Sequence, residues 1–169
     1  IYACVRMPLS PSMQIIDAAF DDASIERHGT AAGVLPFTTT PNGEVYVLLG
    51  RERFVHSWRG SCRWSGFEGS RHRGESIDET AVREFVEESL GVIVPHMSPH
   101  LLRTQYDFRV VMRVTGDRFP LERYHATYAW RLPSRTQACV ETFTETRGKI
   151  EHIDRLAQEW QFIRPTAFG

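Results

Sequence analysis

Glu84, Glu87 and Glu88 lie within five residues of one another in the segment RGESIDETAVREFVEESLG, Arg73–Gly91. On a helix, at about 100° per residue, they share an arc of about 100°. Glu84 and Glu88 form an i,i+4 like-charge pair, which costs about 0.2–0.5 kcal/mol. They also occupy the C-terminal half of the segment, where the helix dipole disfavours anions. Arg83 is the only cation close by in sequence. A solvated acidic face is the ordinary explanation of three glutamates on an arbitrary helix. A divalent cation explains them better here, because it turns mutual repulsion into shared coordination. Mg²⁺ takes oxygen ligands and keeps several waters, so it suits carboxylates working beside a phosphate.

The elements that must position these groups are legible in outline. Ser76 and Glu79 have the spacing of a capping box, and Gly91 stands where a left-handed C-terminal cap residue is placed. The helix is therefore expected over Ile77–Leu90. Ile77, Ala81, Val82, Phe85, Val86 and Leu90 take up much of its circumference, so it should be buried on more than one side. The glutamates are left on a narrow polar strip. Ahead of it, Gly29–Phe37 and Glu44–Gly50 read as strands joined at Pro41-Asn42-Gly43, a hairpin. Arg51–Gly74 reads as a loop. His100–Gly116 and Glu122–Leu132 each contain a strand, and Ile150, Ile153, Leu156, Ala157 and Trp160 predict a helix within Thr144–Trp160. A short helix is expected near Asp17–Arg27. Strands around a central helix, closed by another helix, predict an α/β fold with helices against a sheet.

The 169 residues suffice for one domain, and 41% hydrophobic with 24% charged residues is ordinary globular composition. Residues 1–28 are poorly patterned and read as an N-terminal extension; 29–169 reads as one domain. The chain begins at Ile1, which is expected of a piece of a longer chain, with Met7 and Met13 as internal starts. No apolar run reaches the ~20 residues of a membrane span, and no secretory h-region is present. Cys4, Cys62 and Cys139 are odd in number and irregularly spaced, against a disulfide framework or a zinc site. Reduced cysteines point to a cytoplasmic protein. A net charge of -1 argues against a general nucleic-acid coat. Of the 20 basic residues only Lys149 is lysine, so nearly every cation can bind phosphate bidentately.

Gly69, five residues, Glu75, seven residues, then Arg83-Glu84-Phe85-Val86-Glu87-Glu88 resembles the Nudix box, G-x5-E-x7-R-E-U-x-E-E-x-G-U. AAGVLPF and GEVYVLLGRER look like the first Nudix hairpin, and CRWSGFEG like the approach loop, so the resemblance covers about Gly29–Leu132. It implies an α/β/α sandwich around a mixed sheet. It implies hydrolysis of a nucleoside diphosphate linked to another group, with Mg²⁺ or Mn²⁺. By position, Glu84, Glu87 and Glu88 would be metal ligands and catalytic, Glu84 being the first choice of base. The backbone carbonyl of Glu68 would be a further ligand, and Glu75 with Arg83 an orienting ion pair. Glu141 and Glu145 are candidates for an acidic residue from a late loop. Two departures stand out. One residue too many precedes Gly91, which is expected to lengthen the helix. Glu68 replaces a common glycine and would be strained if its backbone were glycine-like.

The region Arg51–Gly74 carries six arginines against two glutamates. Arg51 and Arg63 are the candidates for phosphate contact; most loop arginines are simply solvated. Trp58 is the candidate to stack on a base, whereas Trp64 is expected to pack. His125 is expected to be a satisfied buried side chain. A small nucleotide, a nucleotide sugar or a dinucleoside polyphosphate is the expected substrate. An mRNA-cap hydrolase and a weakly active or inactive nucleotide-binding module are the alternatives. Nucleic acid is not favoured as a partner, and a homodimer is left open.

Overall fold

The computed structural model describes residues 3–6, 21–51, 56–57, 62–114, 123–132 and 140–150. In chain order the elements are β1 (Ala3–Arg6), α1 (Asp22–His28), β2 (Gly29–Thr39), β3 (Val45–Arg51), β4 (Trp64–Ser65), β5 (Phe67–Ser70), α2 (Ile77–Ser89), α3 (Pro99–Gln105), β6 (Phe108–Val114), β7 (Arg123–Arg131) and a further helix α4 over 140–150.

β2 organises the sheet. It pairs in parallel with β7 from Gly29 to Phe37. Its other side is divided: β5 pairs antiparallel with Ala31–Val34, and β3 with Phe37–Thr39. The order β1-β3-β2-β7-β6, with β4 on β3 and β5 on β2, makes a mixed sheet. Gly43, at φ 81°, supplies the left-handed backbone that the hairpin turn between β2 and β3 requires. β1 joins the edge of the sheet beside β3.

Side chains alternate across the strands. Val34 of β2 and Tyr124, Ala126, Tyr128 and Trp130 of β7 face a core shared with Ile25 of α1, Ala81 and Phe85 of α2, Leu102 of α3 and Phe143 of α4. The opposite face gathers Phe37, Val47 and Ala129. α2 lies across β2 and β5, so its apolar stripe and the floor of the site are built from one contact. The fold is thus α/β with a central mixed sheet, as expected. None of the described helices is long and apolar enough to cross a membrane.

Three expectations are corrected. The supposed loop Arg51–Gly74 contains β4 and β5, strands too short to leave a periodic signal. His100–Gly116 does contain the expected strand, β6, while its first half belongs to α3, begun by Ser98 as N-cap and Pro99. The C-terminal helix already covers 140–143, ahead of Thr144; its expected residues beyond 150 lie outside the described ones. Finally, α2 stops at Ser89, and the left-handed cap begins at Leu90, at φ 55° and ψ 26°, one residue ahead of Gly91, which is left-handed as expected at φ 64°. The extra residue before Gly91 therefore does not lengthen the helix. It puts a leucine in a conformation that costs L-residues about 1–2 kcal/mol. Leu90 packs on the core, which offsets part of that cost.

Candidate active site

α2 begins as its sequence dictates. The Ser76 hydroxyl accepts from Glu79 N–H, and the Glu79 carboxylate accepts from Ser76 N–H at 2.7 Å. Seven residues after Ile77, the Glu84 carboxylate lies against the Cα of Gly69 in β5. A methyl group at position 69 would sit 2.3 Å from Glu84 Cδ. The glycine is thus required by close approach, not by backbone angle. One turn later, Glu88 Oε2 accepts from Glu68 N–H at 3.0 Å. Two of the three carboxylates therefore reach consecutive residues of β5.

Arg83 is the hub. Its Nε donates to Glu75 Oε1 at 2.6 Å and its Nη2 to Glu75 Oε2 at 3.1 Å, a bidentate pair. Nη2 also donates to Ser70 O at 2.9 Å, tying the helix to the end of β5. Nη1 donates to Glu84 Oε1 at 2.7 Å and reaches Glu87 Oε2 at 3.4 Å. Glu87 is 61% exposed, so that last contact contributes little. The repulsion among the glutamates is thus met here by one guanidinium for Glu84 and Glu87 and by the Glu68 amide for Glu88. Glu75 is further held by Thr80 Oγ1 at 3.1 Å and His72 N–H at 3.0 Å.

The bidentate guanidinium pulls the Glu75 carboxyl down to a pKa of about 2, with the His72 N–H and Thr80 hydroxyl adding to the effect. The folded value lies below the unfolded one. Glu75 therefore contributes stability that is complete above its ordinary pKa of 4.5 and is lost as pH falls toward 2. Urea unfolding across that window should show wild type losing more stability than Glu75→Gln. Parallel pH profiles for the two would refute the assignment.

The donors fit a hard dication in kind: three carboxylates beside the backbone of β5, with no soft ligand among them. They do not yet converge, because Arg83 holds Glu84 and Glu87 and the Glu68 amide holds Glu88. Among the described residues no group of three or more His, Cys, Asp or Glu is set to hold a metal ion.

The expected strain at Glu68 is not found. Glu68 lies in β5 opposite Gly33 of β2, and its φ is not positive. Gly33 makes this workable, since a methyl there would lie 2.3 Å from Glu68 Cβ. The Glu68 carboxylate points away from α2. Its Oε2 lies 3.1 Å from Nε2 of His125 on β7, and the imidazole holds the carboxyl below its ordinary pKa. This glycine–glutamate exchange across two strands carries no sequence signal.

The remaining candidates are scattered. Arg51 is exposed; its Nε donates to Cys62 O at 3.4 Å and its guanidinium lies 5.9 Å from the centre of the Trp64 ring. Trp64 itself is 40% exposed, so it does not pack as expected. Arg63 is exposed. Trp58 lies outside the described residues. Glu141 and Glu145 are on the exposed side of α4, a helix and not a late loop.

No protein-family model matches the chain, and no curated protein matches it. Among solved structures, it is similar to the Nudix hydrolase RenU from M. smegmatis, with 23% identity over 64% of this chain and a TM-score of 0.46. The chain spans 63% of the length of RenU. It is also similar to the C. elegans Ap4A hydrolase, at 16% identity over 65% of this chain and 71% of that one, with a TM-score of 0.41. A binary complex of a C. elegans Ap4A hydrolase matches at 13% identity over 64% and 68% of the two chains, with a TM-score of 0.38.

Proposed function

We propose that the chain is a Nudix-type hydrolase that cleaves a phosphoanhydride bond in a nucleoside diphosphate derivative, with Mg²⁺ or Mn²⁺. One observation carries the reading. The residues that fill the box spacing also meet in space, with Glu84 on Gly69, Glu88 on the Glu68 amide, and Arg83 joining Glu75 to Glu84. Glu84, Glu87, Glu88 and the Glu68 carbonyl would hold the dication. When bound, it neutralises phosphate charge and makes a water more acidic. The chain's own part is placement. Glu84 is the first candidate to take the proton of the attacking water, since it is only 13% exposed and its position is fixed by Gly69 and Arg83. Arg83 stays anchored through Glu75 when Glu84 and Glu87 turn to other partners. The water oxygen bonds to phosphorus, the bridging P–O bond breaks, and the leaving phosphate departs as an anion.

Small nucleotides, nucleotide sugars and dinucleoside polyphosphates are the substrate classes this reading favours over RNA caps. Incubation with a nucleotide panel and Mg²⁺ or Mn²⁺ tests it through released phosphate or pyrophosphate. At least one nucleoside diphosphate derivative should be turned over only with the dication. Glu87→Gln should lose about tenfold or more of that rate, and divalent ions should raise its Tm less than that of wild type. Absence of turnover on every substrate, or equal turnover by the variant, defeats the enzyme reading. The alternative, a nucleotide-binding module with weak or no hydrolysis, draws on Arg83 holding two of the carboxylates; nucleotide binding without turnover would establish it.

A further inference from the structure

The first turn of α2 is fixed from outside the Nudix-like motif. Glu26 of α1 accepts, through Oε2, from the N–H of Ile77 at 3.0 Å. Ile77 opens the helix, and its N–H has no partner within the helix. A carboxylate there also meets the positive end of the helix dipole. Arg71 completes the joint. Its Nη2 pairs with Glu26 Oε1, its Nη1 donates to Glu26 O at 2.5 Å, and its Nε donates to Glu75 O at 2.6 Å. One guanidinium thus holds α1 and the residue whose carboxylate grips Arg83. Where α1 passes into β2, Gly29 touches the Ile77 side chain so closely that a methyl would lie 2.2 Å from Ile77 Cδ1.

A helix is stiff along its axis and rises 1.5 Å per residue, so Glu84 stands about 10 Å along the helix from Ile77. The height of Ile77 sets the height of Glu84 against Gly69 and of Glu88 against the Glu68 amide. We propose that Glu26 and Arg71 are positioning residues for the hydrolysis, setting the axial register of α2 so that its carboxylates meet β5. This inference rests on the function proposed above. It makes α1, a segment outside the resemblance, part of the working enzyme.

The test compares Glu26→Ala, Glu26→Gln, Arg71→Ala and Asp22→Asn on the full chain, with a turned-over nucleotide and Mn²⁺, below the Tm of each. Asp22 lies on the same helix, but the group it pairs with, at 2.7 Å, is Arg109 of β6 and not α2. Glu26→Ala and Arg71→Ala should lower kcat about tenfold, since small misplacements of reacting groups are costly, and change KM less than about twofold. Glu26→Gln keeps an oxygen for the Ile77 N–H and should recover part of the rate. Asp22→Asn should keep the wild-type kcat. If Glu26→Ala and Arg71→Ala keep wild-type kcat while losing Tm, the joint is only structural and the proposal is overturned. Where the alanine variants do not fold, Arg71→Lys, which loses the fork that joins Glu26 to Glu75, takes their place, and wild-type kcat for it overturns the proposal. A wild type that hydrolyses no nucleotide overturns the function and this inference together, a result distinct from the other two.

Discussion

Gly69→Ala is expected to lower kcat by about a hundredfold while leaving the fold almost as stable as before. The added methyl would lie 2.3 Å from Glu84 Cδ and 2.4 and 2.5 Å from its two oxygens. Those atoms are the far end of a flexible side chain, so they can move aside without disturbing the backbone. The φ of Gly69 is not positive, so alanine meets no backbone strain there. The stability cost should therefore stay within about 1 kcal/mol. The carboxylate, however, loses its seat on β5, and under the proposed function a displaced base or ligand is worth little to the reaction. Steady-state kinetics and urea unfolding on the same preparation decide it. Loss of activity and stability together would mean that the contact is ordinary packing. Retention of both would mean that the Glu84 position is irrelevant to the chemistry.

Phe85→Ala should have the largest effect on folding, about 3–5 kcal/mol. Phe85 is fully buried and meets Phe67 edge to face, with ring centres 5.4 Å apart and planes at 88°. The pair contributes about 0.5–1.5 kcal/mol beyond its buried area, and alanine leaves a cavity that the sheet cannot close. Against a total stability of ~5–15 kcal/mol this is a large fraction. It also loosens α2 from the strand that carries Glu68 and Gly69. A shift of the urea midpoint at unchanged slope measures it. A loss below about 1.5 kcal/mol would show that the helix is held to the sheet by other contacts.

What the sequence determined by itself is what depends on neighbours along the chain. The capping box at Ser76 and Glu79, the hairpin of β2 and β3 around Gly43, and three glutamates on one helical arc follow from hydrogen-bond reach and helical period. Even there, the end of α2 differs by one residue from the pattern of the sequence. A leucine in the left-handed region is decided by core packing at Leu90, while local preference accounts for Gly91 alone, left-handed at φ 64°. The tertiary structure alone decided the rest. β4 and β5 are too short for periodicity to mark, and they exist because β2 and β3 offer them free edges. Glu68 in place of a glycine is tolerated because Gly33 is small on the next strand, 35 residues away in sequence. Glu26 reaches Ile77, and Arg71 joins Glu26 to Glu75, only once α1 has docked with Ile25 in the core. Local pattern specifies which side chains are available on one face. Burial of the apolar faces against a shared sheet brings those faces within bonding distance, and no spacing along the chain encodes that distance.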